Sequence, residues 1–104
     1  TLHQPSSPVN KEVAFYDAAY GCEALQDALS LYYTMLVQTG LITMSKLVEL
    51  CVKKPSEFIG LNQGEIKVGS DAKLLLFNPN EKYTVDNPQS LYNAQTLHGK
   101  VTII

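Results

Sequence analysis

Three features of the 104 residues predict an α+β chain. Apolar residues recur at three- and four-residue spacing through the first half. The period drops to two after Gly64. Proline, glycine and asparagine clusters separate the segments at the places where a turn is needed. Residues 1–21 read as an irregular lead-in, because Pro5, Ser6, Ser7, Pro8 and Asn10 are turn formers. Residues 22–39 give the clearest helix: Leu25, Ala28, Leu29, Tyr32, Met35 and Leu36 form one apolar stripe, and Gly40 follows as a left-handed stop. Thr43 caps a second helix, about 44–53, with Leu47, Val48, Leu50 and Cys51 inward. Lys53 and Lys54 fall in its last turn, where cations complement the helix dipole. Pro55 is expected to stop that helix and to open a separate turn that ends at Gly60.

Four strands are expected beyond Gly64. Residues 65–68 alternate polar and apolar, and 73–77 is a continuous apolar run that reads as a buried strand. Asn78-Pro79-Asn80 breaks it. Residues 82–85 alternate again, and 99–104 form the last strand. Four strands are too few to close a sheet sandwich. The buried run therefore asks for partners that this chain does not supply.

Composition narrows the classes. Apolar residues make up 45% and charged residues 17%, the balance of a folded domain rather than a disordered segment. The length suits one small domain and is too short for a complete (β/α)₈ barrel of about 250 residues. The net charge of −2 carries no basic stripe, so no nucleic-acid partner is expected. No apolar run approaches the roughly 20 residues of a membrane span. The polar opening is unlike a secretory signal, which points to the cytoplasm, and Thr1 in place of Met reads as a cut or processed end. Cys22 and Cys51 lie in apolar helical patterns and read as buried, reduced thiols.

Residue chemistry alone defines no active site. His3 and His98 are the only histidines, and there is no HxH, HExxH or CxxC pair. No metal site is expected from this chain. His3 lies near Ser6 and Ser7, but no acid stands by to orient it as a base.

Two stretches together are more specific. Pro55-Ser56-Glu57-Phe58-Ile59-Gly60-Leu61 and Gly64-Glu65-Ile66-Lys67-Val68-Gly69-Ser70-Asp71-Ala72-Lys73-Leu74 resemble the C-terminal signature of the amidohydrolase superfamily. There the chain leaves the last barrel helices as "NPA-x-x-x-GL" and enters a small β-sandwich as "G-x-I-x-x-G-x-x-A-D-L". Upstream, Thr1-Leu2-His3-Gln4-Pro5-Ser6 resembles the "S-D-H-A-P-H" of class I dihydroorotases, and Ala18-Ala19-Tyr20-Gly21 their "A-P-F-G". Lys82-Tyr83-Thr84-Val85-Asp86 is similar to their "x-W-T-V-D", and His98-Gly99-Lys100-Val101 to their closing "x-G-K-V".

The resemblance implies the C-terminal part of a dihydroorotase-like protein. Residues 1–61 would be the end of the barrel, loop and helices included, and 62–104 strands of the β-sandwich. It also implies a zinc-dependent hydrolysis of a cyclic amide in pyrimidine biosynthesis, in which an aspartate serves as metal ligand and proton shuttle. Leu2 stands at that aspartate position and Ser6 at the family's substrate-binding histidine. Leucine offers neither a metal ligand nor a proton acceptor. No catalytic residue is therefore expected here. Ser6, Tyr20 and Gly21 remain the substrate-facing positions, the last two through their backbone. Lys54 and Lys73 replace the family's Asn and Asp and read as capping or surface changes; the stretch from Asp86 to Gly99 is shorter than the family's.

The reading that follows is a catalytically impaired homologue acting as a structural partner, with aspartate transcarbamoylase as the partner the family implies. Two alternatives stand beside it. One is a working dihydroorotase or related cyclic-amide hydrolase with a different metal-ligand set. The other is a free-standing interaction module. The isolated chain is expected to have no hydrolase activity, and to pair with its missing N-terminal barrel half or with a second copy.

Overall fold

A computed structural model describes residues 3–103. Among them the chain builds two helical rods followed by one two-stranded antiparallel sheet. The α+β class expected from the two periodicities is the class observed.

The first rod runs without a break through a 3₁₀ turn (Leu25–Asp27), an α-helical stretch (Ala28–Tyr32) and a wider π turn (Tyr33–Val37). Only Ser30 and Thr34 are polar between Ala28 and Val37. Both are turned onto the sheet. The Ser30 hydroxyl donates to the Gly99 carbonyl, and the His98 N–H donates to Thr34 Oγ1 at 2.9 Å. A rod that is apolar on its remaining sides asks for cover on more than one face. Tyr32 and Met35 stay exposed.

The second rod corrects an expectation. Pro55 does not divide it: Met44–Val48, Glu49–Lys53 and Lys54–Phe58 follow end to end. Proline removes one backbone donor and crowds the carbonyl four residues back. The π turn at Glu49–Lys53 opens the spiral just ahead of Pro55, which accommodates both effects. Lys53 and Lys54 consequently lie inside the rod, not at its end. Thr43 is the cap foreseen, its hydroxyl accepting from the Lys46 N–H at 3.2 Å.

Two strands replace the four expected. β1 (Leu75–Thr84) runs straight through Asn78-Pro79-Asn80, and β2 (Thr96–Ile103) is its antiparallel partner. Register pairs Asn78 with Lys100 and Lys82 with His98, so residues 79–81 bulge opposite Gly99. Pro79 sits in that bulge, where its missing donor is not needed. Residues 65–68 form no strand, because no strand among the described residues lies beside them. Ile66 and Val68 are almost fully exposed. The run 74–77, expected to be buried, leaves Leu74, Leu75 and Leu76 about half exposed.

The core is small. Leu31, Val85 and Leu97 form its centre, with Tyr83 and Tyr92 packed against them, and Leu47 is buried separately in the second rod. Ala94 closes the turn that precedes β2 with φ of 65°, donating its N–H to the Val85 carbonyl at 2.8 Å. An L-residue in that conformation costs about 1–2 kcal/mol. Ala94→Gly is therefore expected to stabilise the fold by about 0.5–1 kcal/mol, allowing for glycine's greater entropy when unfolded. A higher denaturation midpoint is the readout, and a lower one would contradict the account.

The molecule is open in outline. Its radius of gyration is 16.2 Å, against about 13 Å for a compact domain of this length. The accessible surface is 7863 Å², against about 5,800 Å² for a compact monomer of this mass.

Candidate functional site

The stretch 1–21, read from sequence as an irregular lead-in, closes into a loop over its described residues, from His3 to Cys22. The Gln4 N–H donates to the Cys22 carbonyl at 2.8 Å, so His3 and Cys22 pair as a short parallel bridge. Further along, the Ala19 N–H donates to the Asn10 carbonyl at 3.1 Å. Two single-turn 3₁₀ segments, Pro8–Asn10 and Phe15–Asp17, shape the loop between. These ties join residues whose partners are backbone groups, which no spacing rule detects.

His3 serves as a helix cap. Its Nδ1 accepts from the Ala24 N–H at 3.2 Å and the Leu25 N–H at 3.1 Å, at the start of the first rod. Those donors belong to the first turn, which has no intrahelical acceptors for them. With Nδ1 accepting, the neutral ring carries its proton on Nε2 and is a donor there. It is not placed as a base for Ser6 or Ser7.

Ser6 has its hydroxyl oxygen buried without a hydrogen-bond partner among the described residues. It lines a hollow of about 200 Å³ with Pro8, Lys11, Glu12 and the 88–91 turn. Tyr20 turns its ring to solvent and is 81% exposed. Gly21 adopts φ of 76°, a backbone that glycine tolerates without strain. Leu2 lies outside the described residues.

Sequence reasoning missed Lys11. It is the only lysine or arginine before Lys46, a signal present in the sequence. Its ammonium donates to the carbonyls of Ala19, at 2.8 Å, and Gly21. It also lines the Ser6 hollow. Lys11 thus joins the two candidate positions that the chain otherwise keeps on separate parts of the loop.

Other polar groups serve packing. Tyr83 donates to Asp27 Oδ1 at 2.8 Å, and burial pushes its phenol above the ordinary value, so it is a donor at neutral pH. The Lys53–Glu65 ion pair (2.9 Å) fastens the exit from the second rod, where the Gly64 backbone lies against Lys53. Both groups are half exposed, so the pair adds little stability. The two thiols differ from the buried pair expected: Cys22 is half-buried and Cys51 exposed, because the flank of the second rod that carries Cys51 is left uncovered. No three His, Cys, Asp or Glu side chains among the described residues are grouped to hold a metal ion. With His3 Nδ1 committed to two backbone donors, the described residues do not fit zinc.

Most of the chain's sequence matches one group of curated proteins. A dihydroorotase of Caldanaerobacter subterraneus subsp. tengcongensis is 40% identical over 86 residues, covering 83% of this chain and 20% of that protein. A dihydroorotase of Elusimicrobium minutum is 39% identical over 102 residues, 96% of this chain and 24% of the other. A probable dihydroorotase-like protein of Helicobacter pylori is 34% identical over 87 residues, 84% of this chain and 23% of the other. No protein-family model matches. The chain belongs to the dihydroorotase-like proteins, as a fragment of one. It spans about a fifth to a quarter of the length of the curated relatives it matches.

Proposed function

We propose that this chain is the closing part of a dihydroorotase-like cyclic amidohydrolase of pyrimidine biosynthesis, catalytically impaired and retained as a structural partner. Residues 1–61 would complete a barrel and 62–104 would contribute strands to a β-sandwich. The observation that carries the reading is the residue exchange at the two decisive positions of the family motif, Leu2 for aspartate and Ser6 for histidine. Neither replacement keeps the chemistry: leucine holds no proton, and a hydroxyl carries no charge to hold a carboxylate. The match in length to relatives four to five times longer supports the fragment assignment.

The open outline supports a covering partner over a free-standing module. The missing N-terminal barrel half is the cover we assign to the exposed faces of both rods and of residues 66–76; a second copy is the competing occupant. Aspartate transcarbamoylase is the external partner proposed, and zinc, if bound by the whole protein, would take its ligands from outside this chain. No helix among the described residues is long and apolar enough to cross a membrane, and a cytoplasmic setting is proposed on the family's metabolic role.

A second reading has its own support: several of the relatives are named plainly as dihydroorotases. In that reading the whole protein hydrolyses dihydroorotate with an altered ligand set. One preparation of the full-length protein decides. Bound zinc per chain and dihydroorotate hydrolysis are measured together. Neither is expected. Stoichiometric zinc with turnover would show that an acid at position 2 is dispensable and would overturn the impaired reading.

A further inference from the structure

We propose that Lys11 is a positioning residue, whose ammonium sets the backbone of the Tyr20–Gly21 turn. The inference rests on the reading above that this turn faces a cyclic ligand, and adds the residue that holds it. Lys11 is half-buried and has no carboxylate partner among the described residues. Its ammonium goes instead to two carbonyls, Ala19 O and Gly21 O, on either side of Tyr20. A trans peptide directs its N–H opposite to its C=O. Drawing the Ala19 carbonyl toward Lys11 therefore directs the Tyr20 N–H away from it. The cation thus fixes which way this donor points, without touching a ligand itself.

The charge is well used in this place. A hydrogen bond from an ionised donor contributes more than a neutral one, about 1.5–3 kcal/mol. Gly21 has φ of 76° and brings the wide torsional freedom of glycine. A turn of that freedom needs an external tie to hold one geometry. The backbone ties across the loop, Gln4 to Cys22 and Ala19 to Asn10, fix its base and middle, and no backbone hydrogen bond among the described residues holds the peptide planes on either side of Tyr20.

The test uses the full-length protein with Lys11→Met, which keeps the stem and removes the charge, and Lys11→Arg, which restores a cation. Amide hydrogen exchange is followed at residues 19–22, and dihydroorotate binding is followed by calorimetry. Lys11→Met is expected to speed exchange at those amides by about tenfold or more and to weaken binding by a similar factor, as the loss of one charged hydrogen bond predicts. Lys11→Arg should recover part of both, while exchange in the two strands stays unchanged. Unchanged exchange at residues 19–22 in Lys11→Met overturns the proposal. Faster exchange with unchanged affinity overturns it too, because Lys11 would then be a loop tie only. If wild type fails to bind dihydroorotate, the ligand-facing reading fails on its own, and exchange still decides whether Lys11 sets the turn.

Discussion

Gly99→Ala is expected to loosen the seam between the first rod and the sheet by about 3 kcal/mol, the sum of a backbone and a packing cost. The backbone part follows from φ of 88° at Gly99, where an L-residue costs about 1–2 kcal/mol. The packing part follows from what a Cβ would meet: it would overlap Phe77 Cζ, and stand 2.6 Å from Phe77 Cε2 and 3.2 Å from Tyr33 Cδ1. A phenyl ring can often swing aside. Here Tyr33 stands edge-on against it, with ring centroids 5.0 Å apart, so moving Phe77 displaces a residue of the helix. Overpacking of this kind typically costs about 1–3 kcal/mol.

The same glycine also supplies the carbonyl that Ser30 reaches, and it faces the 79–81 bulge. The substitution therefore strains two ties between helix and sheet at once, the Ser30 hydrogen bond and the Tyr33–Phe77 contact. Exchange of the β2 amides in the full-length protein should accelerate by about a hundredfold. Adding Phe77→Leu should return part of the loss, because the clash is relieved while the backbone cost stays. Stability within about 0.5 kcal/mol of wild type, the range of a neutral surface change, would refute this account of the seam.

What the sequence disclosed follows from where each partner lies. The extent of the first rod was legible because its apolar recurrence and its glycine stop are local signals; its inward face was not, since Leu25, Tyr32 and Met35 of the stripe stay exposed while Ser30 and Thr34 meet the sheet. Thr43 was legible because a cap reaches only three residues ahead. Pro55 misled, since the π turn that absorbs it has no residue signature. Pro79 misled for a related reason: a bulge is defined by the opposite strand, and Gly99 lies 20 residues away in sequence. Residues 65–68 carry a true strand pattern, yet a strand exists only when something pairs with it. In the candidate site, Ser6, Tyr20 and Gly21 came from motif resemblance. Lys11 stayed hidden because carbonyl oxygens belong to every residue type.

Taken alone, the 104-residue chain is expected to self-associate or to lose fixed packing. Its accessible surface of 7863 Å² exceeds that of a compact monomer by about 2,000 Å². A stable protein–protein interface buries about 600–1,000 Å² per partner. The excess therefore corresponds to two or more interface-sized faces left open. Those faces are apolar: Phe58, Ile66 and Val68 are each at least 90% exposed, while only five apolar residues are buried among those described. Transfer of apolar surface out of water is favourable by about 25 cal/mol per Å². Hiding such apolar surface drives association, against the cost of ordering two chains.

Sedimentation of the isolated chain should show dimers or larger species. Near-UV circular dichroism should be weak, and a hydrophobic dye should bind. Co-expression with the preceding part of the full-length protein should abolish dye binding and give a single species. If the second copy were the true occupant, the isolated chain would instead form one discrete dimer that unfolds cooperatively and ignores the preceding part. A cooperatively folding monomer that excludes the dye would contradict both occupants, and would return the chain to the standing of a module that needs no cover.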